Sequence, residues 1–183
     1  IVRTTLLTTY GGLWLDATVW VSGKLPWTKL SAISFFSANS PTQLNCYSCC
    51  FWTSFEWSWS GWCLYSKYKN HKLLSFVSEM LKLMAEREKG LLDYVIIDYL
   101  IYYACRKFPS IAADMERCQS IPCKHRNTLA SIMNQAYNEE TYRNLIKTDF
   151  VFKLSFRSPC TEKTGTGEQT FYGRLLSDII ESH

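Results

Sequence analysis

Apolar residues at the start of the chain recur at the spacing of one helix face, up to Tyr10, and this spacing predicts an amphipathic helix. Gly11 and Gly12 follow, and glycine is the residue that most often ends a helix. The next run, residues 13–16, is apolar except for its last residue, Asp16, and predicts a strand. The pattern therefore predicts a helix that turns through two glycines into a strand ending in a carboxylate.

Asp16 is the unexpected residue of this strand, because an ionised carboxylate leaves water at a large free-energy cost unless it is paired or bound to a metal. Two interpretations are open. The carboxylate either accepts hydrogen bonds from backbone amides in a turn, or it binds a hard cation such as Mg²⁺ or Mn²⁺ at the end of the strand.

Strand and helix patterns alternate along the rest of the chain, as in an α/β fold. Residues 73–84 place apolar side chains on one helix face, and 93–108 is a largely apolar helix followed by proline. The other predicted elements are strands at 18–21 and 149–156, short β-type runs within 29–63, and helices at 111–117, 127–137, 139–147 and 173–181. A length of 183 residues suits one buried core, so we predict a single domain over 1–183.

Composition narrows the class of ligand. The net charge of +4 suits a phosphorylated small molecule or an anionic membrane surface, and is weak evidence for nucleic acid, whose partners usually carry a strongly basic cluster. The start has no secretory pattern, and the longest apolar run, 94–105, is shorter than the roughly 20 residues of a membrane-spanning helix. The chain opens inside its first helix, so we expect an N-terminal portion to be missing.

The eight cysteines raise a question about zinc. One CxxC spacing occurs among Cys46, Cys49 and Cys50, and no second CxxC follows. The length of the chain and the absence of a secretory pattern favour reduced cysteines in or near a core. A structural zinc site built from these three cysteines and Cys63 is the rival interpretation.

The residues around the diglycine form one unit of sequence. A helix carrying an arginine leads into a turn, and the chain returns as a strand that ends in an acid. Glycine permits close approach of the backbone, strand ends carry ligand-binding groups in open α/β sheets, and arginine donates to phosphate or sugar oxygens. The unit consists of Arg3, Tyr10, Gly11, Gly12, Trp14, Asp16 and Thr18.

The segment "YGGLWLDATV" resembles the DxD region of glycosyltransferases of the capsular polysaccharide synthesis family, which are related to the sugar transferases that carry "YGGxYxDxD". The later "LLDYVIIDYLIYYA" is similar to a helix of the same family, and here too it follows an amphipathic helix. The resemblance covers most of the chain. It implies a GT-A fold, incomplete at its N-terminus, and transfer of a sugar from a nucleotide diphosphate donor, mostly with retention of configuration.

The resemblance also implies roles for single residues. Asp16 corresponds to the first aspartate of the motif, which binds Mn²⁺ or Mg²⁺ and through it the donor diphosphate, and Thr18 stands in the place of the second. Lys153, in the strand 149–156, is expected to contact the diphosphate. Donor contacts are further implied for Arg3, Tyr10, Gly11, Gly12 and Trp14.

Two aspartates of the helix 93–108 are implied as groups that face the reacting sugar or the acceptor. Asp93 suits a helix N-cap equally well. Asp98 lies inside an apolar helix, where it needs a buried partner or a cleft.

Trp57 and Trp59 alternate with polar residues and are candidates for stacking on acceptor sugar rings. Buried aromatics in a sheet are the commoner arrangement, so this role stays one of two interpretations. His71 directly precedes the helix predicted at 73–84 and is expected at the surface.

The sequence therefore predicts a metal-assisted glycosyltransferase of capsular or surface polysaccharide synthesis. Its expected partners are a nucleotide-sugar donor and a carbohydrate or lipid-linked glycan acceptor, and no nucleic acid. The expected location is the cytoplasm, with peripheral association at the inner face of the membrane, or the Golgi lumen in a eukaryote. A non-catalytic carbohydrate-binding module and the cysteine-ligated zinc protein are the rivals.

Overall fold

The computed structural model describes residues 1–23, 25–38, 60–87, 96–118, 123–155 and 157–181, with the backbone alone at 98, 115–118 and 181. Over these residues the helices are α1 (Val2–Tyr10), α2 (Trp27–Leu30), α3 (Lys72–Arg87), α4 (Ile96–Lys107), α5 (Pro109–Cys118), α6 (Thr128–Ile132), α7 (Glu139–Thr148) and α8 (Phe171–Glu181). The strands are β1 (Gly12–Leu15), β2 (Val19–Val21), β3 (Phe35–Ser37), β4 (Cys63–Ser66) and β5 (Val151–Lys153).

The chain is mixed α/β, as predicted, and divides into two compact units. The first unit comprises 1–16 and 26–122, and the second comprises 17–25 and 123–183. The strands named above pair antiparallel in two small sheets. The prediction of one domain over 1–183 stays a prediction.

Among the described residues, the first unit contains a three-stranded sheet and helices α1 to α5. Its strand order is β1-β4-β3, and Gly12 of β1 pairs with Ser66 of β4. Helix α3 is amphipathic, and its buried face packs with α1, β3, β4, α4 and α5 around one core. Burial of this apolar face drives the packing, because each fully buried leucine or valine contributes about 1.5–3 kcal/mol relative to an exposed one. The core includes Leu7, Phe35, Leu64, Leu73, Leu74, Val77, Leu81, Ile101 and Ile111.

The second unit is built around the β2-β5 pair. Trp20 of β2 lies opposite Phe152 of β5, and Phe152 is completely buried among apolar residues of α6, α7 and α8. Asn138 caps α7, because its side-chain oxygen accepts a hydrogen bond of 2.8 Å from the Thr141 backbone N–H.

Several predicted boundaries were wrong for reasons that lie outside the local pattern. The helix predicted at 127–137 ends at Ile132, and Ala136 instead forms a β-bridge with Thr170. The strand predicted at 149–156 is confined to Val151–Lys153, the length of its partner β2.

His71, expected at the surface, is 7% exposed. None of the helices in the described ranges combines the length and apolar character needed to cross a membrane.

The turn between α1 and β1 depends on Gly11. Its φ of 71° lies in the left-handed region, and its N–H donates to the Leu7 carbonyl oxygen at 2.9 Å, which caps α1. A Cβ at this position would lie 3.2 Å from the Ser66 carbonyl oxygen and 3.4 Å from the Tyr68 carbonyl carbon. Both the backbone angle and the close approach to β4 therefore require glycine.

We expect Gly11→Ala to destabilise the protein by about 1–3 kcal/mol, because a non-glycine residue must adopt a left-handed backbone against fixed carbonyl groups. Urea unfolding followed by circular dichroism measures the change. The control is Gly165→Ala, since a Cβ at Gly165 meets no atom of the described residues within 4 Å. Equal stability of the two variants would contradict this account of the turn.

Candidate functional site

Three of the predicted site residues come together in the first unit. The Trp14 indole Nε1–H donates to Asp16 Oδ1 at 2.8 Å, and Arg3 Nη1 lies 3.7 Å from the same oxygen. The Arg3 guanidinium carbon is 5.9 Å from the centre of the Trp14 ring, which places a cation beside an aromatic face. We call these three residues the Arg3–Trp14–Asp16 cluster.

The lengths of α1 and β1 explain how residues 3 and 16 meet. Helix α1 rises about 1.5 Å per residue and β1 about 3.3 Å per residue. Seven helical steps from Arg3 to Tyr10 therefore span roughly 10 Å, and four extended steps back from Gly12 to Asp16 span roughly 13 Å. The reversal at the glycines consequently returns the chain to the level of Arg3.

Residues of the loop before β4 hold the cluster in place. Arg3 Nη1 donates to the Gly61 carbonyl oxygen at 2.5 Å, and the Asp16 backbone N–H donates to the Trp62 carbonyl oxygen at 2.9 Å. A Cβ on Gly61 would lie 3.2 Å from Arg3 Nη1, so a larger residue would require the guanidinium to move by a few tenths of an ångström. Sequence reasoning missed Gly61, because a backbone acceptor at a distance of 58 residues leaves no local signal.

The cluster is open enough for a ligand to reach. The Arg3 side chain is 33% exposed and the Asp16 side chain 25% exposed. Asp16 therefore belongs neither to the core nor to a turn locked by amides alone, because its side chain contacts an indole N–H and a guanidinium. Paired charges that keep partial access to solvent can bind a polar ligand without the full penalty of a buried ion.

The diglycine lies apart from this cluster. Gly11 and Gly12 are at the opposite end of β1 from Asp16, and Tyr10, 69% exposed, lies beside them. The turn therefore positions Arg3 by reversing the chain. Direct donor contacts by these three residues stay predictions.

The family model described as a capsular polysaccharide synthesis protein matches residues 1–175, which include the whole Arg3–Trp14–Asp16 cluster. The chain belongs to the capsular polysaccharide synthesis family. This membership confirms the family resemblance and indicates a role in capsule synthesis. No curated protein and no solved structure matches the chain.

In the second unit of this capsular synthesis protein, two further predicted residues come together. Lys153 Nζ donates a hydrogen bond to Thr18 Oγ1, and the Leu154 backbone N–H donates to the Thr18 carbonyl oxygen at 2.8 Å. Val19 and Lys153 are paired residues of the β2-β5 ladder, which brings position 18 beside position 153. The predicted metal position Thr18 thus has an ammonium as its neighbour.

The donor chemistry of Asp16 fits a divalent cation shared with a ligand. Mg²⁺ is usually held by one or two carboxylates together with substrate phosphates, and Asp16 offers one partly exposed carboxylate. No group of three or more His, Cys, Asp or Glu side chains in the described ranges is arranged to hold a metal. The roles of Asp16 and Thr18 as ligands stay predictions.

Several predicted residues lie outside the described part of the chain. Asp93, Trp57 and Trp59 belong to this group, and Asp98 is described only as a backbone position of α4. Of the proposed zinc ligands, Cys63 alone is described. Cys63 is fully buried in β4, and burial raises the pKa of its thiol to about 12, with the Asp16 carboxylate adding a smaller effect in the same direction.

We expect Trp14→Phe to lower the free energy of unfolding by about 1 kcal/mol more than Trp20→Phe. The indole of Trp14 donates to a carboxylate at 2.8 Å, whereas that of Trp20 donates to the neutral Tyr142 hydroxyl at 3.3 Å, and hydrogen bonds to charged acceptors are stronger. Urea unfolding of both variants measures the difference. A Trp14 effect equal to or below the Trp20 effect would contradict the cluster.

We expect Cys63 to resist alkylation by iodoacetamide at pH 8 in the folded protein and to react on addition of urea. The thiolate is the reactive form, and a pKa of about 12 leaves almost none of it at that pH. Peptide mass spectrometry after timed labelling measures the rate. Rapid labelling of Cys63 in the folded protein would show that this part of β4 is accessible.

Proposed function

We propose that this chain forms a GT-A-like glycosyltransferase domain of capsular polysaccharide synthesis. The reaction transfers a sugar from a nucleotide diphosphate donor to a hydroxyl of a carbohydrate or lipid-linked glycan. Family membership supports the pathway. The observation that carries the chemical proposal is the Arg3–Trp14–Asp16 cluster at the end of β1.

In this transfer the oxygen of an acceptor hydroxyl forms a bond to the anomeric carbon of the donor sugar, and the bond from that carbon to the diphosphate oxygen breaks. The hydroxyl proton passes to the departing diphosphate. Negative charge accumulates on the leaving diphosphate, so groups that stabilise this charge lower the barrier. A divalent cation, when bound, supplies positive charge to the diphosphate, and Asp16 is the residue that would hold it. Relatives suggested by the resemblance mostly retain the configuration of the sugar, and we extend that expectation to this chain.

Arg3 has the role of orienting the donor. A guanidinium presents several N–H donors in a fixed plane, and these match phosphate or sugar oxygens. The Gly61 carbonyl oxygen accepts a hydrogen bond from Arg3 Nη1 at 2.5 Å, which fixes the plane of the guanidinium. The Asp16 carboxylate, with Oδ1 at 3.7 Å from Nη1, balances the positive charge. Trp14 keeps the Asp16 carboxylate in place through its indole N–H.

The remaining roles rest on the sequence, through the resemblance for Lys153, Asp93 and Asp98 and through the aromatic pattern for the two tryptophans. Lys153, beside Thr18 in the second unit, is proposed to contact diphosphate as a second source of positive charge. Asp93 and Asp98 are proposed to position the acceptor or to stabilise positive charge on the sugar ring. Trp57 and Trp59 are proposed to stack on acceptor rings.

The test is thermal unfolding of the full chain with UDP, GDP, ADP or dTDP, each with and without Mn²⁺. At a ligand concentration of about 100 times Kd, binding adds about 2.7 kcal/mol, which corresponds to a rise in Tm of about 5–10 °C for a chain of this size. We expect one nucleotide to give this rise only together with Mn²⁺, and Asp16→Asn to abolish it.

Asp178→Asn is the matched control. Asp178 is 35% exposed and pairs with Arg174 at 3.0 Å, so its loss also removes one partly exposed carboxylate from an ion pair. This variant should keep the full nucleotide response. A response that persists in Asp16→Asn, or indifference of the wild-type chain to every nucleotide with the metal, would contradict the proposed function.

A further inference from the structure

A second concave site lies in the first unit, away from the Arg3–Trp14–Asp16 cluster. It is a cavity of about 430 Å³ between residues 32–34, the turn that follows β4, the start of α3 and one side of α5. The side chains that give it its chemistry are Lys67, Tyr68, Lys69, His71, Lys72 and Asp114. We call it the lysine cavity.

The charge of the lysine cavity is strongly asymmetric. Three exposed lysines, Lys67, Lys69 and Lys72, face one aspartate, Asp114. Lys72 is the first residue of α3, and the first turn of α3 contains no acidic residue. The N-terminal end of a helix carries partial positive charge and favours anions, so lysines here repel the helix end as well as one another. An anionic ligand would remove this repulsion.

His71 provides an independent sign of a ligand. It is 7% exposed, it lines the cavity, and neither ring nitrogen has a hydrogen-bond partner among the described residues. The carboxylate oxygen Oδ2 of Asp114 is 4.0 Å from Nε2, beyond hydrogen-bond distance. A buried polar group without a partner costs about 1–3 kcal/mol. The ring stacks on Phe35 at 5.7 Å between centres, which fixes its orientation.

Backbone hydrogen bonds hold the turn in shape. The Asn70 N–H donates to the Thr8 carbonyl oxygen of α1 at 2.8 Å, and the Lys67 N–H donates to the Ser34 carbonyl oxygen at 2.9 Å. Asn70 has a φ of 54°, a left-handed conformation that asparagine tolerates better than most residues. The lysines therefore project from a backbone that is already arranged, which lowers the entropic cost of binding.

The lysine cavity is distinct from the proposed donor site. Leu15, the residue before Asp16, pairs with Cys63 at one end of β4, whereas the cavity begins after Ser66 at the other end. The two ends of this strand are roughly 10 Å apart. One monosaccharide-sized ligand in the cavity would therefore not occupy the cluster.

We propose that the lysine cavity binds a phosphorylated sugar, with the phosphate ester at the lysines and next to His71. The ammonium groups and the α3 terminus supply charge for the phosphate. Asp114 supplies an acceptor for sugar hydroxyls, which a bare anion would not need. The Lys67 ammonium lies over the Tyr68 ring, 5.2 Å from its centre, so the aromatic face holds that cation at the cavity. The volume suits a small polar ligand. This proposal goes beyond the sugar-transfer reaction and does not depend on it.

Isothermal titration calorimetry of the full chain tests the proposal with glucose 1-phosphate, glucose 6-phosphate, inorganic phosphate and glucose. We expect at least one ester to bind more tightly than inorganic phosphate, and glucose to show no binding. Replacing Lys67, Lys69 and Lys72 together by glutamine should raise Kd about tenfold or more, because charge-assisted hydrogen bonds are lost. These lysines are exposed and repel one another, so the triple variant should fold with a Tm no lower than that of the wild-type chain.

Two control variants establish that the loss of affinity is specific to the lysine cavity. Lys82→Gln removes an exposed lysine from the same helix, where it pairs with Glu79 at 2.8 Å, and should leave Kd unchanged. Asp16→Asn should also leave Kd unchanged, even if it abolishes the nucleotide response. Ring signals of His71, assigned in nuclear magnetic resonance spectra with His71→Gln, should shift on addition of the ester.

Three outcomes would overturn the proposal. Inorganic phosphate that binds as tightly as both esters would leave only an anion site without a sugar. Unchanged affinity in the triple lysine variant would place binding elsewhere. Loss of ester binding in Asp16→Asn would assign the ester to the donor site.

Discussion

The close approach of Gly11 to strand β4 is the constraint on which both sites of the first unit depend. The left-handed turn at Gly11 sets α1 against β1 and returns the chain so that Arg3 meets Asp16. On its other side the same glycine lies against the carbonyl groups of Ser66 and Tyr68, where the turn that carries the lysine cavity begins. A shift of this backbone would therefore disturb the cluster and the cavity together.

The Arg3–Trp14–Asp16 cluster shows how a carboxylate is tolerated at the end of an apolar strand. The Asp16 Oδ1 atom accepts a hydrogen bond from the Trp14 indole N–H and lies beside the Arg3 guanidinium. The Asp16 backbone N–H donates to the Trp62 carbonyl oxygen, which continues the hydrogen bonding between the chain of β1 and that of β4. Partial exposure keeps the desolvation penalty moderate. The arrangement holds the acid in a defined position while solvent, or a ligand that replaces it, still reaches the group.

Local periodicity predicted the parts of the fold that depend on neighbours along the chain. Helix α3, the strand predicted at 13–16, which the structure has as β1 (Gly12–Leu15), and the mixed α/β class followed from residue spacing and the diglycine. Features set by distant partners did not follow. The pairing of β4 with both β1 and β3, and the short α6 that gives way to the Ala136–Thr170 bridge, arise from contacts across the fold.

The candidate site, like the fold, could be predicted from the sequence only in part. Arg3 and Asp16, which the motif groups in one unit of sequence, are neighbours in the structure, because a helix and a strand of matching length join at a tight turn. Gly61 could not be predicted, since its contribution is a carbonyl group that any residue possesses. His71 was expected at the surface because polar residues before helices usually are, and packing against Phe35 overrides that tendency.

The hydrogen bond between Lys153 and Thr18 has a consequence for how the motif can vary within the family. An aspartate in place of Thr18 would meet a fixed ammonium and form an ion pair, so its negative charge would be neutralised within the protein. The charges at positions 18 and 153 are therefore coupled. An acid at position 18 would therefore tighten the contact between the ends of β2 and β5 instead of adding an open carboxylate.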